Sequence, residues 1–507
     1  MFKFSYILLF LILISGIWLR HLNVAGNNIA FDFDQIEDQF YTYRLVFDHD
    51  PLIIGRAVYG DPKLHHGVFY YYYNFIPFLI SSGNFFASIY WNILFNAFTA
   101  VIIFILAKLL FNRDLPALIS VFIASFSFEM IKFSSWMTID TVTIFLVPLF
   151  YLGLWAYSKS KNFGLLLTSI SLGLIIQSDL TFLYLIPITL IYCLIFKPKI
   201  PTIKWFLISF FAFVITVLTL ILTEIKLNFA GVKTLLGFNS FFSDAAKLTM
   251  AERLYLFFED FWLNFANNLY PQRADLGSLL GGIIILITTV QLVKQKSQNK
   301  KAIIFLLLYL FSPIITLLLG YHNQPWFLIG MPPAVALISG YAISKVKFTP
   351  AILVILLAIG INNFNIINRK PKLAHQLFDN IYDATSYLAY QLDVLEYTYQ
   401  ESEGKPFSIN AVTYPLFYNG LWSYLYKFYG EKKYGFTPSW LGGDQLHPYD
   451  QLPKTKSVKE LSFMIISETI RIPEVFRNKG RNWAEENGIV TQKKEFKGFT
   501  VYKIEPE

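Results

Sequence analysis

Residues 134–150 read SSWMTIDTVTIFLVPLF, with a single carboxylate, Asp140, at the head of an apolar stretch. An acid so near hydrocarbon is expensive unless it is paired or lines a wet cavity, so this run points to a membrane and to a site at its edge. Similar apolar stretches recur from end to end of the first two thirds of the chain. Eleven spans are expected, at 4–20, 89–110, 115–131, 138–157, 163–178, 180–196, 203–223, 277–293, 301–320, 325–344 and 348–364. A hydrocarbon core takes about 20 apolar residues to cross. Composition agrees: 55% of the residues are hydrophobic and 15% charged, where a soluble domain carries about 25% charged.

The formal charge of +8 would raise nucleic acid as a partner in a soluble protein. Here the lysines fall in every second connection between spans, a pattern that encodes topology, and no nucleic acid is expected. Lys108 with Arg113, Lys159 with Lys161, Lys197 with Lys199 and Lys204, Lys294 to Lys301, and Lys345 with Lys347 all agree on a cytoplasmic N-terminus. Residues 4–20 are read as an uncleaved first span. The loop 21–88, with seven acids against three bases, then lies outside. So do a second long loop, 224–276, and the region 365–507. Within these loops, residues 68–80 (VFYYYYNFIPFLI) and 254–265 (LYLFFEDFWLNF) read as helices in the membrane interface, ring buried and hydroxyl wet.

The division expected is a transmembrane domain at 1–364 and a small extracytoplasmic α/β domain at 365–507. Short β-rich runs at 407–413, 461–467 and 499–504 flank a helical pattern at 473–486. No phosphate-binding glycine loop, nucleophile elbow or metal-spaced His/Cys set occurs there. The one cysteine, Cys193, lies in an apolar run and excludes an intrachain disulfide.

The densest polar cluster is FDFDQIEDQFYTYRL, residues 31–45. Asp34 and Asp38 are four apart and share one helix face, and with Glu37 they make an acidic ridge. Like charges this close raise one another's pKa, although a solvated acidic helix start would look the same. Asp140 has helix capping as its bland alternative. Glu129 and Lys132 read as a local ion pair. His65 and His66 precede Gly67, and His322 with Asn323 occupies the outer turn YHNQP. Imidazoles there can donate to phosphate oxygens, though for each alone an ordinary interfacial hydrogen bond is the simpler role. No zinc motif is present, so no metal site is assigned.

This order of elements resembles the GT-C glycosyltransferases, in particular the branch with protein O-mannosyltransferases and lipid A aminoarabinose transferases. An apolar span is followed by FDFDQIED, a basic-poor loop ending HHGVFYYYY, a span closing at AKLLFNRD, SSWMTIDTVTIFLVPLFYLGLWAY, and later YHNQPWFLIGMPPAVALISG. The resemblance implies that Asp34 stands at the first-loop catalytic acid, with Gln35 where relatives usually have Glu, and that Asp140 stands at the second acid. It implies that His66-Gly67 occupies the place of His-Pro-Pro or Lys-Pro-Pro, and that His322 and Asn323 help hold the donor phosphate, where relatives often place Arg.

The function so implied is transfer of a sugar from a polyprenyl-phosphate donor to an extracytoplasmic hydroxyl or amine, with inversion and with Asp34 as base. The acceptor is a protein, polysaccharide or lipid. No cofactor is required, and a divalent metal is compatible with the chemistry. A transporter or flippase of lipid-linked sugars is the rival reading; it would want polar residues or broken helices near the midplane in matching halves of the chain.

Overall fold

The computed structural model describes residues 4–58, 61–236, 248–294, 297–319, 325–369, 383–456 and 461–506. Each expected apolar segment coincides with helix, but the helices are not all straight or long. Among the described residues six can cross a membrane by length and composition, and eight can if each of two bent pairs is one span. The six are Phe4–Val24, Phe85–Phe111, Ile139–Ser158, Ala274–Lys294, Asn299–Leu318 and Thr349–Ile367. By this measure the expected count of eleven is not confirmed. Asn162–Ser178, Leu180–Phe196 and Pro332–Ile343 are shorter apolar helices. Seventeen residues rise only about 26 Å, less than the roughly 30 Å of a hydrocarbon core.

Both bends have a local cause that average hydropathy cannot register. Asp114–Phe126 and Phe128–Ser134 meet at 52°. Between them Ser127 caps the second helix, accepting from the Met130 amide at 3.1 Å and donating to Asn268 Oδ1 at 2.7 Å. The carbonyls freed at the end of the first helix are met by a buried cation: Arg20, from Phe4–Val24, donates to Ser125 O at 3.1 Å and to Asn96 Oδ1 at 2.7 Å. A cation at a helix C-terminus is favoured by the helix dipole. Ile203–Thr216 and Leu218–Lys226 meet at 55°. Gln177 reaches into that break, donating to the Thr216 carbonyl and accepting from Thr219 Oγ1.

The tyrosine run forms the expected helix, Phe69–Ile80, with one face packed in protein and the other exposed. Tyr70 and Tyr71 are completely buried, whereas Tyr72, Ile76 and Ile80 are exposed. One face of this helix is protein core. The ring of Tyr71 stacks on Tyr41 of the helix Phe33–Val46 at 4.9 Å.

Towards the C-terminus a five-stranded sheet runs in the order Ser439–Trp440, Ser408–Val412, Ser462–Ser467, Phe499–Glu505, Ile489–Phe496. The first three strands are parallel and the last three are antiparallel. The helix Glu474–Glu486 packs on one face, its Gly480 against Met464 and Val412. Ile489–Phe496 was not expected as a strand. It is an edge strand exposed along most of its length, so it lacks the apolar alternation that marks a half-buried one. The sheet is not separate from the first loop. Phe31, Phe40 and Phe85 share one apolar core with Leu388, Tyr424 and Phe463, and Ala30 pairs with Tyr387 as an isolated bridge.

Candidate active site

The helix Phe33–Val46 starts at Asp32, whose side chain accepts from the Phe33 amide at 2.8 Å, while Gln35 Oε1 accepts from the Asp32 amide at 2.8 Å. The Asp32 side chain also accepts from the Gln35 amide, which completes a capping box and gives Gln35 a structural task. Asp34, in the first turn, is half exposed; Asp38, one turn later on the same face, is fully buried. Both meet Arg56, whose Nη1 lies 2.6 Å from Asp34 Oδ1 and whose Nε lies 3.4 Å from Asp38 Oδ1.

Arg56 is brought there by a two-stranded hairpin, Ala57–Val58 with Asp61–His65. The hairpin also sets His66 beside it, with the His66 amide donating to Arg56 O at 3.0 Å. The next turn is fixed by Gln177: its carbonyl accepts from Gly67 N at 2.8 Å and its Oε1 from Val68 N at 3.0 Å. A Cβ at residue 67 would run into Gln177, which explains glycine here by close backbone approach.

Asp140 lies in the short 3₁₀ turn Ile139–Val142 that leads into Thr143–Ser158, and its side chain does not cap that helix. Capping falls instead to a second carboxylate, Asp179, which accepts from Thr181 N at 2.8 Å at the start of Leu180–Tyr184. The Asp140 and Asp179 carboxyls face each other within hydrogen-bond reach.

These groups line one cavity of about 610 Å³, which contains Asp34, Glu37, Arg56, His66, Asp140 and Asp179. Trp136 and Trp326 form an aromatic wall with ring centroids 5.8 Å apart. Another wall comes from the sheet region: Tyr414, Pro415 and Arg471. Arg471 Nη1 is 2.7 Å from Asp32 Oδ2, its Nη2 donates to Ser386 Oγ at 2.8 Å, and its guanidinium covers the Tyr414 ring at 4.5 Å. An apolar chamber of about 190 Å³ adjoins in sequence, lined by Phe69, Tyr73, Phe95, Phe133, Phe145 and Leu149, with Thr141 and Val142 following directly on Asp140.

Burial raises the Asp38 carboxyl to about 7, against the pull of Arg56. Burial also raises Glu37, again opposed by Arg56. For Arg56, burial works against the charge, but the Asp34 and Asp38 carboxylates outweigh it and hold the guanidinium above its ordinary range. Burial and the Arg56 charge together push His66 well below the usual histidine range. Its imidazole is therefore neutral, and Nδ1 is buried without a partner.

Of the residues singled out from sequence, Asp34, Glu37, His66 and Asp140 converge on the cavity. Asp38 lies behind Arg56 and does not line it. His65 turns away, its Nδ1 2.8 Å from Gly55 O. His322 and Asn323 lie outside the described residues. Glu129 and Lys132 do pair, at 2.9 Å. Among the described residues no group of three His, Cys, Asp or Glu is placed to hold a metal ion. Arg56 and Asp179 were missed; one of only two arginines in a basic-poor loop, and an acid dividing two short apolar runs, were the signals available.

This architecture is that of the GT-C fold: an apolar helical bundle, an acid-bearing helix after the first span, and an α/β region over one end. The chain is similar to ArnT from Cupriavidus metallidurans bound to undecaprenyl phosphate, with a TM-score of 0.61, 8% identity, and 97% of each chain covered. The apo structure of the same protein gives a TM-score of 0.60 at 8% identity, again over 97% of each chain. A weaker likeness, on which nothing below rests, is to the archaeal oligosaccharyltransferase AglB from Archaeoglobus fulgidus, with a TM-score of 0.46, 14% identity, and coverage of 95% of this chain and 71% of that one. No family model and no curated protein sequence matches the chain.

Proposed function

We propose that this protein is a glycosyltransferase that takes a sugar from a polyprenyl-phosphate donor and passes it to an extracytoplasmic hydroxyl or amine. The observation that carries this is the single cavity joining Asp34, Arg56, His66 and Asp140, with an apolar chamber lined in part by the two residues that follow Asp140. A polar site against a greasy chamber suits a ligand that is phosphate at one end and isoprenoid at the other. Undecaprenyl phosphate, bound by the ArnT of the same fold, is such a ligand.

In this reading the donor phosphate binds at Arg56, with neutral His66 donating a hydrogen bond, and the sugar lies against Trp136 and Trp326. Asp34 accepts the proton of the acceptor as its oxygen or nitrogen attacks the anomeric carbon. The bond from that carbon to phosphate breaks, and its electron pair leaves on the phosphate oxygen. Charge gathering there is met by the Arg56 guanidinium, a fixed cation in a partly dehydrated site. Asp140 and Asp179 orient the sugar or the acceptor. Attack opposite the departing phosphate inverts the sugar, and no metal is needed to balance the step. His322 and Asn323 retain their proposed part in holding the same phosphate. Residues 1–364 would form the membrane domain, with a cytoplasmic N-terminus, and 365–507 the extracytoplasmic domain.

The charged groups gather at the end of the bundle that bears the sheet, which does not favour a transporter with a midplane site. The test is release of free carrier phosphate from a panel of radiolabelled polyprenyl-phosphate sugars by the purified protein in lipid. Asp34→Asn is expected to lower release by about 10²–10⁴-fold with folding intact. Equal turnover in the variant removes Asp34 as base, and no release by the wild type from any donor removes the reading itself.

A further inference from the structure

A second groove, of about 390 Å³, opens on the sheet region and is lined by Asn419, Trp440, Asp444, Gln445, Tyr449 and Lys454. It is separated from the cavity by one short loop, since Tyr414 and Pro415 line the cavity and Asn419 lines the groove. Aromatic rings bridge the two. Phe33, on the cavity wall, lies 6.2 Å from Tyr418, and Tyr418 lies 5.7 Å from Tyr449 in the groove. The loop between carries Phe417, 80% exposed at φ 70°. A non-glycine residue in left-handed backbone with its ring in solvent is costly, and such strain gathers at ligand sites.

We propose that this groove is a saccharide-binding subsite for the acceptor, so that the acceptor is a glycan running from the groove along the aromatic line into the cavity. The proposal rests on the glycosyltransferase reading and deepens it.

The lining chemistry selects this class of ligand. Asn419 lines the groove, and its buried Oδ1 has no hydrogen-bond partner, so a small turn of the side chain brings an unsatisfied acceptor to a ligand hydroxyl. The charged groups are already engaged: Lys454 Nζ lies 2.6 Å from Asp444, and Asp450 lies 3.1 Å from His447, which also meets Asp48 at 2.6 Å. What remains is aromatic surface with neutral hydrogen-bonding groups, which suits a polyhydroxylated ligand and not a polyanion. A lipid is disfavoured by contrast with the chamber in the bundle, whose walls are mostly Phe, Leu and Val. A peptide adding to the sheet at this groove is disfavoured because the edge strand here, Ser439–Trp440, is taken. Trp440 N donates to Pro453 O at 2.7 Å, and Trp440 O accepts from Thr455 N at 3.0 Å.

The experiment applies the full-length protein in lipid nanodiscs to a printed array of neutral and charged oligosaccharides. Selective capture by a subset of neutral oligosaccharides is expected, falling at least about tenfold in Asn419→Ala. That variant deletes an unsatisfied buried group, so it should fold; Phe417→Gly, which relieves the left-handed backbone, serves as the second variant and should also weaken capture. Capture of no oligosaccharide by the wild type, or undiminished capture by both variants, overturns the proposal. Carrier release by the wild type is measured on the same nanodiscs. Glycan capture without release from any donor would leave the groove standing and remove the enzymatic reading.

Discussion

Asp34 and Asp38 stand one helical turn apart on the same face, and that single turn separates a solvated carboxylate from a buried one. Both contact Arg56, so the guanidinium that would receive a phosphate is shared between them. Burial lifts Asp38 to about 7, against an ordinary carboxylate value near ~4. The contribution of its neutral form to folding is complete below about pH 4 and is lost as pH rises through about 7. The same ionisation adds a second negative charge against Arg56. Donor affinity is therefore expected to fall as pH rises through neutrality, and Asp38→Asn to flatten that dependence, both read by titrating labelled donor into nanodiscs. A wild-type affinity that is constant from about pH 6 to about pH 8 would break the link between Asp38 and Arg56. At this scale Asp34 and Asp38 were legible in sequence as a dense acidic cluster whose spacing puts both on one helix face. The division of Asp34 from Asp38 was not, because both occupy one face and only the packing of Tyr71 and Arg56 buries the second.

Secondary-structure elements act here through their interruptions. The break at Ser127 exposes carbonyls that Arg20 satisfies, and the break after Thr216 admits Gln177, which also holds Gly67 and Val68 and so seats His66 at the cavity. Gly67→Ala is expected to force this turn from Gln177, lowering stability by about 1–3 kcal/mol and reducing carrier release together. Thermal unfolding in detergent and the release assay check it; a variant matching the wild type in both would mean that the turn has room to move. Apolar runs were legible in sequence as helices because periodicity and length are local properties. Bends were hidden, since a hydropathy average is nearly the same for a straight span and for two halves crossing at 52° or 55°. The hairpin that presents Arg56 was hidden too, being a strand of two residues paired with one of five.

Across the whole molecule the sheet region is held to the first loop by more than a covalent link. Asp32 is clamped by Arg471 and Ser386, Gln391 donates to Phe31 O, and a shared apolar core runs beneath them. The clamp closes one wall of the cavity with Tyr414 and Pro415. Arg471→Ala leaves the mostly buried Asp32 carboxylate without its cation, at a cost of about 1–3 kcal/mol. Faster amide hydrogen exchange is expected at Phe33 and at 385–387, with a rise in KM for the acceptor larger than that for the donor. Unchanged exchange would show that the apolar core alone holds the two parts together.

The membrane bundle, the sheet beyond it, and the two acids at the mouth, Asp34 and Asp140, were determined by sequence alone. Each follows from a property counted over neighbouring residues: apolar length, alternation, a cluster of acids on one helix face, or one charge against a hydrocarbon background. Arg56 against Asp34, Asp179 against Asp140 and Arg471 against Asp32 were decided only by tertiary structure. Those pairs join residues far apart in the chain, and no local pattern records which distant partner a buried charge will meet once the surrounding helices have excluded water.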